Sequence, residues 1–299
     1  MTATLVIKIL TTAALTGLLF ATGLRLTFPQ IGDALRDRAL LARTLVANFL
    51  LVPALTLAAA RLFQLPAELA AGMMILAAAP FAPVVPVFTK MCRADLALAA
   101  ALTGLFPFLS AFLTPLVCEA GFQVLQRKGG LEFHFLTLLL VLLATITLPL
   151  LAGLGCHHLR PQLAHRLLRP VDLFSEGVGA VSLAFVTVVE ARDILAIGWQ
   201  PLLIMAGLFE ASLWAGYALG GRTTGARRVL ALGTSNRNIA LALLIAAGSF
   251  AGTPVLAAVV ANGLLLILLG LLHTGWWRLK PASELLTREH ESRTDKETR

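Results

Sequence analysis

The sequence predicts an all-α polytopic membrane protein with about nine transmembrane helices, arranged as inverted repeats around two discontinuous crossing helices. Three observations lead there. Of the 299 residues, 58% are hydrophobic and only 13% charged, against about 45–50% and about 25% in soluble domains. Mean hydropathy is +0.85. The apolar residues gather into nine runs, and a bilayer span takes about 20 residues, so nine spans use roughly 180 and leave only short loops and a tail. The third observation is that two of the nine runs are broken at matching places.

The elements follow in order. Helix A, about 4–24, carries Lys8 inside its apolar run and no A-x-A cleavage pattern follows, so it reads as a retained helix rather than a leader. Helix B, about 40–60, follows Arg36 and Arg38 and carries Arg43 in its first turn. Helix C runs over 67–91, D over 94–118 and E over 133–156, with His134 at the outer end of E. His157, His158 and His165 fall in a basic E–F loop with no carboxylate or cysteine to complete a metal site. Helix F covers about 171–190, G 198–219, H 227–247 and I 252–276. The expected organisation is a transmembrane domain over 1–276: repeat one at 4–118, a connecting helix at 133–156 and repeat two at 171–276. Residues 277–299 form a polar cytoplasmic tail.

Charge sets the orientation. Placing the N-terminus outside puts eighteen Lys and Arg on the cytoplasmic side and four (Arg61, Arg127, Lys128, Arg192) on the other. The positive-inside rule then gives N-terminus outside and C-terminus cytoplasmic in the plasma (inner) membrane. The net charge of +8 comes from these clusters and is not a nucleic-acid footprint. Cys92, Cys118 and Cys156 are scattered and form no disulfide framework or metal pair. No cofactor motif, no GxxxxGK[ST] loop, and no DDxxD, HExxH or GxSxG cluster appears, which speaks against a primary pump or an intramembrane enzyme.

The breaks carry the chemistry. Helix C contains Pro80, Pro83 and Pro86, and each proline removes a backbone donor and clashes with the preceding turn. Helix H contains Gly233-Thr234-Ser235-Asn236-Arg237-Asn238, a costly polar insertion at membrane depth. Unpaired backbone survives there only against protein or a wet cavity, and transporters use such paired breaks in two inverted halves. Each break lies in the third helix of a set of four, A–D and F–I.

At these residues the chain resembles the bile acid:sodium symporter family. Asn48-Phe49-Leu50-Leu51-Val52-Pro53-Ala54-Leu55 is similar to the family's Q-F-x-I-M-P-L-L segment. Residues Phe63 to Gly72 resemble its G-L-P-P-x-L-A-x-G loop. Helix C matches its crossover through Pro80 and on to Asp95-Leu96-Ala97-Leu98, and Arg237-Asn238-Ile239-Ala240-Leu241-Ala242 is similar to Q-N-x-x-L-A. The resemblance implies a panel domain and a core domain, with the broken helices crossing in the core, and a chain that begins at the family's second helix. It also implies where sodium ligands would fall. The Ser-Asn pair lands on Val85 and Pro86, and a helix D serine lands on Ala99, leaving Thr103 as the hydroxyl. The helix H glutamate lands on Gly233 and the glutamine on Arg237, while the helix B amide is kept as Asn48.

Arginine offers only N–H donors and a charge that repels sodium. Its guanidinium either takes the place of that cation and braces the crossover, or holds an anion bidentately. Asn236, Asn238, Ser235 and Thr234 would complete a substrate site for a small organic anion. Glu210, mid-way along helix G, reads as a proton-coupling group, as the partner of Arg237, or as a carboxyl in a polar seam; Glu176 is a second acidic candidate in helix F. The expected function is alternating-access transport of an organic anion. Sodium coupling in the family manner is not expected, and proton coupling is favoured over exchange or facilitated transport. The alternative is a non-transporting membrane sensor or scaffold that retains the fold.

Overall fold

The computed structural model describes residues 3–27, 29, 32, 36–125 and 134–279. The polar tail is expected from 277, but 277–279 still belong to the last helix, which ends at Leu279; the rest of the tail, and the loop carrying Arg127 and Lys128, lie outside the described residues. All regular structure among the described residues is helical: α1 (Ala3–Arg25), α2 (Arg38–Leu62), α3 (Ala67–Ala78), α4 (Val85–Met91), α5 (Leu96–Leu125), α6 (Phe135–Leu159), α7 (Pro161–Val189), α8 (Ala191–Ala196), α9 (Trp199–Leu219), α10 (Thr224–Ser235), α11 (Ile239–Ser249) and α12 (Val255–Leu279). Eight segments are long and apolar enough to cross a membrane, with α10 and α11 together forming one of them. The ninth apolar run of the sequence is divided between α3 and α4, neither long enough to cross alone. The chain is a polytopic membrane protein.

Two π-turns mark where proline enters a span. Ala47–Leu51 lies just before Pro53 in α2, and Leu143–Thr147 just before Pro149 in α6. Proline has no N–H for the carbonyl four residues back, and the wider turn re-phases the helix around that gap. In α2 this brings Asn48 to full burial.

The helices sort into two layers. In the panel layer, α1 lies against α6 and α7. Small residues set the spacing: a Cβ on Gly23 would sit 2.3 Å from the Leu150 carbonyl, one on Gly153 2.2 Å from that of Phe20, and one on Gly17 2.3 Å from Ser175 Oγ. Close backbone approach gives apolar helices their packing energy in lipid. Thr11 Oγ1 and Ser182 Oγ add a 2.9 Å hydrogen bond between α1 and α7, and Arg25 pairs with Asp172 nearer the helix end. The outward faces of these helices present large apolar side chains such as Leu5, Ile9, Leu136, Leu173 and Phe174.

The core layer gathers α2, α3, α4, α5, α9, α10, α11 and α12. Gly72 of α3 abuts α12, where a Cβ would fall 2.6 Å from that of Ala258; Gly216 of α9 abuts the Leu230 carbonyl of α10 at 2.5 Å. α11 is buried from Leu241 to Ala247, a level matched by no panel helix.

Three further expectations need correction. Helix F begins at Pro161, not near 171; proline is suited to a first turn, so Arg160 alone joins α6 to α7. His157 and His158 therefore end α6, with His157 Nδ1 2.7 Å from the Leu24 carbonyl, and His165 lies within α7. The break in helix C is narrower than three prolines suggested, because Pro86 sits in the first turn of α4. The break in helix H falls at Asn236–Asn238, and Gly233 remains inside α10.

Candidate functional site: the crossing of the two broken helices

The two breaks meet. The Asn238 N–H donates to the Ala79 carbonyl at 2.9 Å, and the Ala82 N–H donates to the Asn236 carbonyl at 3.0 Å. Each interrupted helix thus satisfies backbone that the other exposes. The remaining ends are closed by side chains. Thr114 of α5 donates to the Ala78 carbonyl at 2.7 Å, and Arg228 Nη1 to the Cys92 carbonyl at 2.9 Å. Asn236 Nδ2 donates to the Leu232 carbonyl at 3.0 Å, and Asn238 Oδ1 accepts from the Leu241 N–H at 3.0 Å. Helix ends at membrane depth require such partners.

Phe81, at φ 56°, holds the proline-rich break. A bulky residue in the left-handed region is strained and persists only when its surroundings over-determine it. Its ring stacks 4.7 Å from that of Phe106 and fills the space above Gly233, where a Cβ would come within 2.0 Å of ring carbon. Pro80 and Pro83 flank it in the break.

Arg237 is 4% exposed. Its Nη1 donates to Asn48 Oδ1 at 2.9 Å and its Nη2 to the Asn48 carbonyl at 3.3 Å. Asn48 in turn donates to the Thr44 carbonyl at 2.9 Å and reaches Thr234 Oγ1 at 3.4 Å. The guanidinium therefore ties the polar break to the π-turn of α2. It lies two residues past the C-terminus of α10 and next to Asn238, which bonds the end of α3. Helix C-termini carry partial negative charge, so this is where a cation is favoured. The N-terminus of α11 carries the opposite sign and opens with Asn238, Ile239 and Ala240.

Those N-terminal residues line a cavity of about 510 Å³ between the layers. Ala14 and Leu18 of α1, and Ser175, Glu176 and Gly179 of α7, form its panel wall. Val84 of the C break, Val87 and Phe88 of α4, Asn236, Arg237 and Asn238 of the H break, and Leu266 and Leu271 of α12 form its core wall. Mostly apolar walls with a few convergent polar groups, at this volume, suit a small organic molecule.

The candidate residues are thus only partly brought together. Asn236, Arg237 and Asn238 line the cavity. Thr234 turns into the packed contact with Asn48 and Gly216. Ser235 bonds back to the Ala231 carbonyl at 2.9 Å inside the core. Thr103 is buried, and its Oγ1 has no partner among the described residues. Glu210 is not at the break: it accepts from Trp214 Nε1 at 3.2 Å and lies 3.3 Å from His273 Nε2, with 40% of its side chain exposed. Glu176 does reach the cavity. The sequence reading missed the panel wall, although the four-residue spacings Ala14/Leu18 and Ser175/Gly179 were there to find. It also missed Arg228, counted only as a cytoplasmic charge. This buried arginine bonds the end of α4 and lies 5.7 Å from the Trp277 ring.

Two broken helices exchanging backbone bonds beside a cavity that a separate three-helix layer closes define a membrane protein of the crossed-helix, two-layer kind. The chain belongs to the sodium bile acid symporter family, whose sequence pattern matches residues 12–198. Among curated proteins it is 27% identical over 270 residues to the probable sodium/metabolite cotransporter BASS1 of chloroplasts from Oryza sativa subsp. japonica, covering 84% of this chain and 63% of that protein. It is 24% identical over 283 residues to the protein of the same name from Arabidopsis thaliana, covering 92% of this chain and 68% of that one. The chain thus spans about two thirds of the length of these relatives.

Proposed function

We propose that the chain is a secondary transporter of a small organic anion, working by alternating access of the core layer against the panel. The observation that carries this reading is the 510 Å³ cavity bounded by both layers at the polar break. A relative movement of the layers would open it to one side and then the other. The substrate's anionic group sits at the α11 N-terminus, against the first-turn N–H groups of Ile239 and Ala240, which have no acceptor within their own helix, and the amides of Asn236 and Asn238. Its apolar body lies against Leu18, Val87, Leu266 and Leu271.

Family membership and the names of the plant relatives support transport, and those names include sodium. Arg237 argues for a different coupling here. Its guanidinium bonds Asn48 and sits by the C-terminal ends that favour a cation, so a permanent positive charge does the bracing that sodium would do. Phe81 fills the space over Gly233 where an acidic side chain would reach. We therefore read the transport as independent of sodium, with protons favoured as the coupling ion and Glu176, the acid on the cavity wall, as the group to carry them. The two repeats are read as 4–118 and 171–276 joined by 133–156. Orientation is N-terminus outside and C-terminus cytoplasmic in the plasma membrane, following the basic clusters.

The test is uptake of a panel of labelled organic carboxylates into proteoliposomes, in sodium and in potassium, with and without an inward proton gradient. Equal uptake in the two salts, rising with the proton gradient, is the expected result. Uptake that needs sodium and saturates with it overturns the coupling claim. Gly179→Phe serves as the structural control. A Cβ there meets only Ala14 Cβ, at 3.7 Å, so a ring can enter the cavity without disturbing the fold. Uptake by that variant at the native rate would place the substrate elsewhere.

A further inference from the structure

A second, much smaller cavity lies within the core layer. Its volume is about 30 Å³, room for one small ion or one or two waters but for no organic molecule. No panel residue lines it. Its polar lining is Thr56 of α2, Ser212 of α9, Ser235 and Arg237 at the H break, and Asn262 of α12, and no acidic residue is among its described lining. Each of the five is more than nine-tenths buried.

One of these groups lacks a partner among the described residues. Arg237 spends Nη1 and Nη2 on Asn48, while its Nε–H is buried without an acceptor. Asn262, 8% exposed, brings its amide to the same cavity. A buried polar group left unpartnered calls for a ligand or water. The charge balance asks for more than water. Arg237 makes no ion pair with a carboxylate among the described residues; its hydrogen-bond partners are both on Asn48. Asn48 satisfies hydrogen bonds but carries no charge, and a buried guanidinium without a counter-charge is costly.

We infer that this cavity binds a single halide ion, chloride in the cell, held by the Arg237 Nε–H, the Asn262 amide and the hydroxyls of Thr56, Ser212 and Ser235. The donor set is cationic and neutral, which suits an anion and repels a metal cation. The hydroxyls now donate to the Val52, Leu208 and Ala231 carbonyls four residues back. Turning each proton toward the ion leaves those carbonyls with the backbone donors of their own helices, so no buried acceptor is orphaned. The ion would join α2, α9, α10 and α12 around the guanidinium, so the core layer would move as one body.

The readout is binding, in the absence of any organic substrate, so it stands or falls apart from the transport reading. Purified protein in detergent is melted in chloride, bromide and gluconate at equal ionic strength. Chloride and bromide should raise Tm saturably over gluconate, which is too large to enter. Ser212→Ala should weaken the apparent halide affinity about tenfold, the loss of one hydrogen bond to an ion. Asn262→Leu, which fills the cavity, should abolish the halide effect, as should Arg237→Gln; the leucine variant keeps the test open if the glutamine variant does not fold. Crystals grown in bromide should show an anomalous peak among these five side chains. A native Tm identical in chloride and gluconate overturns the inference and leaves the cavity to water alone. A halide effect that persists undiminished in Asn262→Leu also overturns it, by placing the ion elsewhere.

Discussion

The two breaks have the same backbone task and opposite chemistry. At the first, Ala79 to Val84, prolines end the helix and the surroundings are apolar: Phe81 and Ala82 are buried against Phe106 and the neighbouring helices. At the second, Asn236 to Asn238, every residue is polar and one is a buried arginine. The exchanged bonds, Asn238 to Ala79 and Ala82 to Asn236, make the pair one structural unit. The lesson is that crossing geometry and ion chemistry are separable. Backbone reciprocity needs only two interruptions in register, and the side chains that could hold an ion or a substrate can be withdrawn from one break and concentrated in the other.

The sharpest way to break that comparison is at Phe81. Removing a fully packed ring costs about 3–5 kcal/mol, so Phe81→Ala should be the most destabilising change in the crossing. Gly233→Ala should cost about 1–3 kcal/mol by overpacking, since its Cβ would meet the ring. If the ring occupies the space of a side chain at 233, the double variant loses less than the sum, with a coupling of about 0.5–3 kcal/mol. The check is denaturant unfolding of all four proteins in one detergent. Additive losses would mean that ring and glycine do not share that space, and the apolar break would then owe nothing to its polar neighbour.

The polar break is tested next, through its partner on α2. Asn48→Leu keeps the branched heavy-atom skeleton of the buried side chain but leaves the Arg237 Nη1–H without its acceptor. An unsatisfied buried donor costs about 1–3 kcal/mol, and more when it is charged. The same unfolding measurement should therefore show a loss second only to Phe81→Ala. A neutral outcome would mean that the guanidinium finds another acceptor, and that Asn48 does not brace the break.

Much of this was legible in the sequence. Composition gave the membrane, and proline and polar insertions gave both breaks, because each is a local violation of what a span requires. Arg237 stood out for the same reason, with Asn48 as a further candidate. Pairing was not legible. That Asn48 meets Arg237 depends on a π-turn before Pro53 that re-phases one helix by part of a turn, and nothing local announces which face results. The panel wall of the cavity was hidden for the opposite reason. Ala14, Leu18 and Gly179 are ordinary span residues, and only the packing of α1 and α7 through small residues places them at the cavity. Boundaries failed where proline opens a helix: helix F is started near 171 although Pro161 is the first residue of α7, and Pro86, in the first turn of α4, is counted as a breaker.

Glu210 gives the smallest effect and the finest test of the difference between a polar group in a break and one on an unbroken helix. It sits mid-way along α9 with its carboxylate by His273 Nε2 and Trp214 Nε1, in an aromatic cluster with Tyr217, Trp276 and Trp277. No backbone end depends on it, and 40% of its side chain is exposed. An ion pair of that exposure contributes about 0–1 kcal/mol, so Glu210→Gln should unfold within about that margin of the native protein. Because Glu210 does not line the inter-layer cavity, its loss should also leave the pH profile of uptake where it was, whereas Glu176→Gln should flatten it. If instead Glu210→Gln flattens the profile and Glu176→Gln does not, proton coupling runs through the aromatic cluster of α9 and α12. The break would then hold the substrate without the coupling ion, and the two functions would lie in separate places along the same core layer.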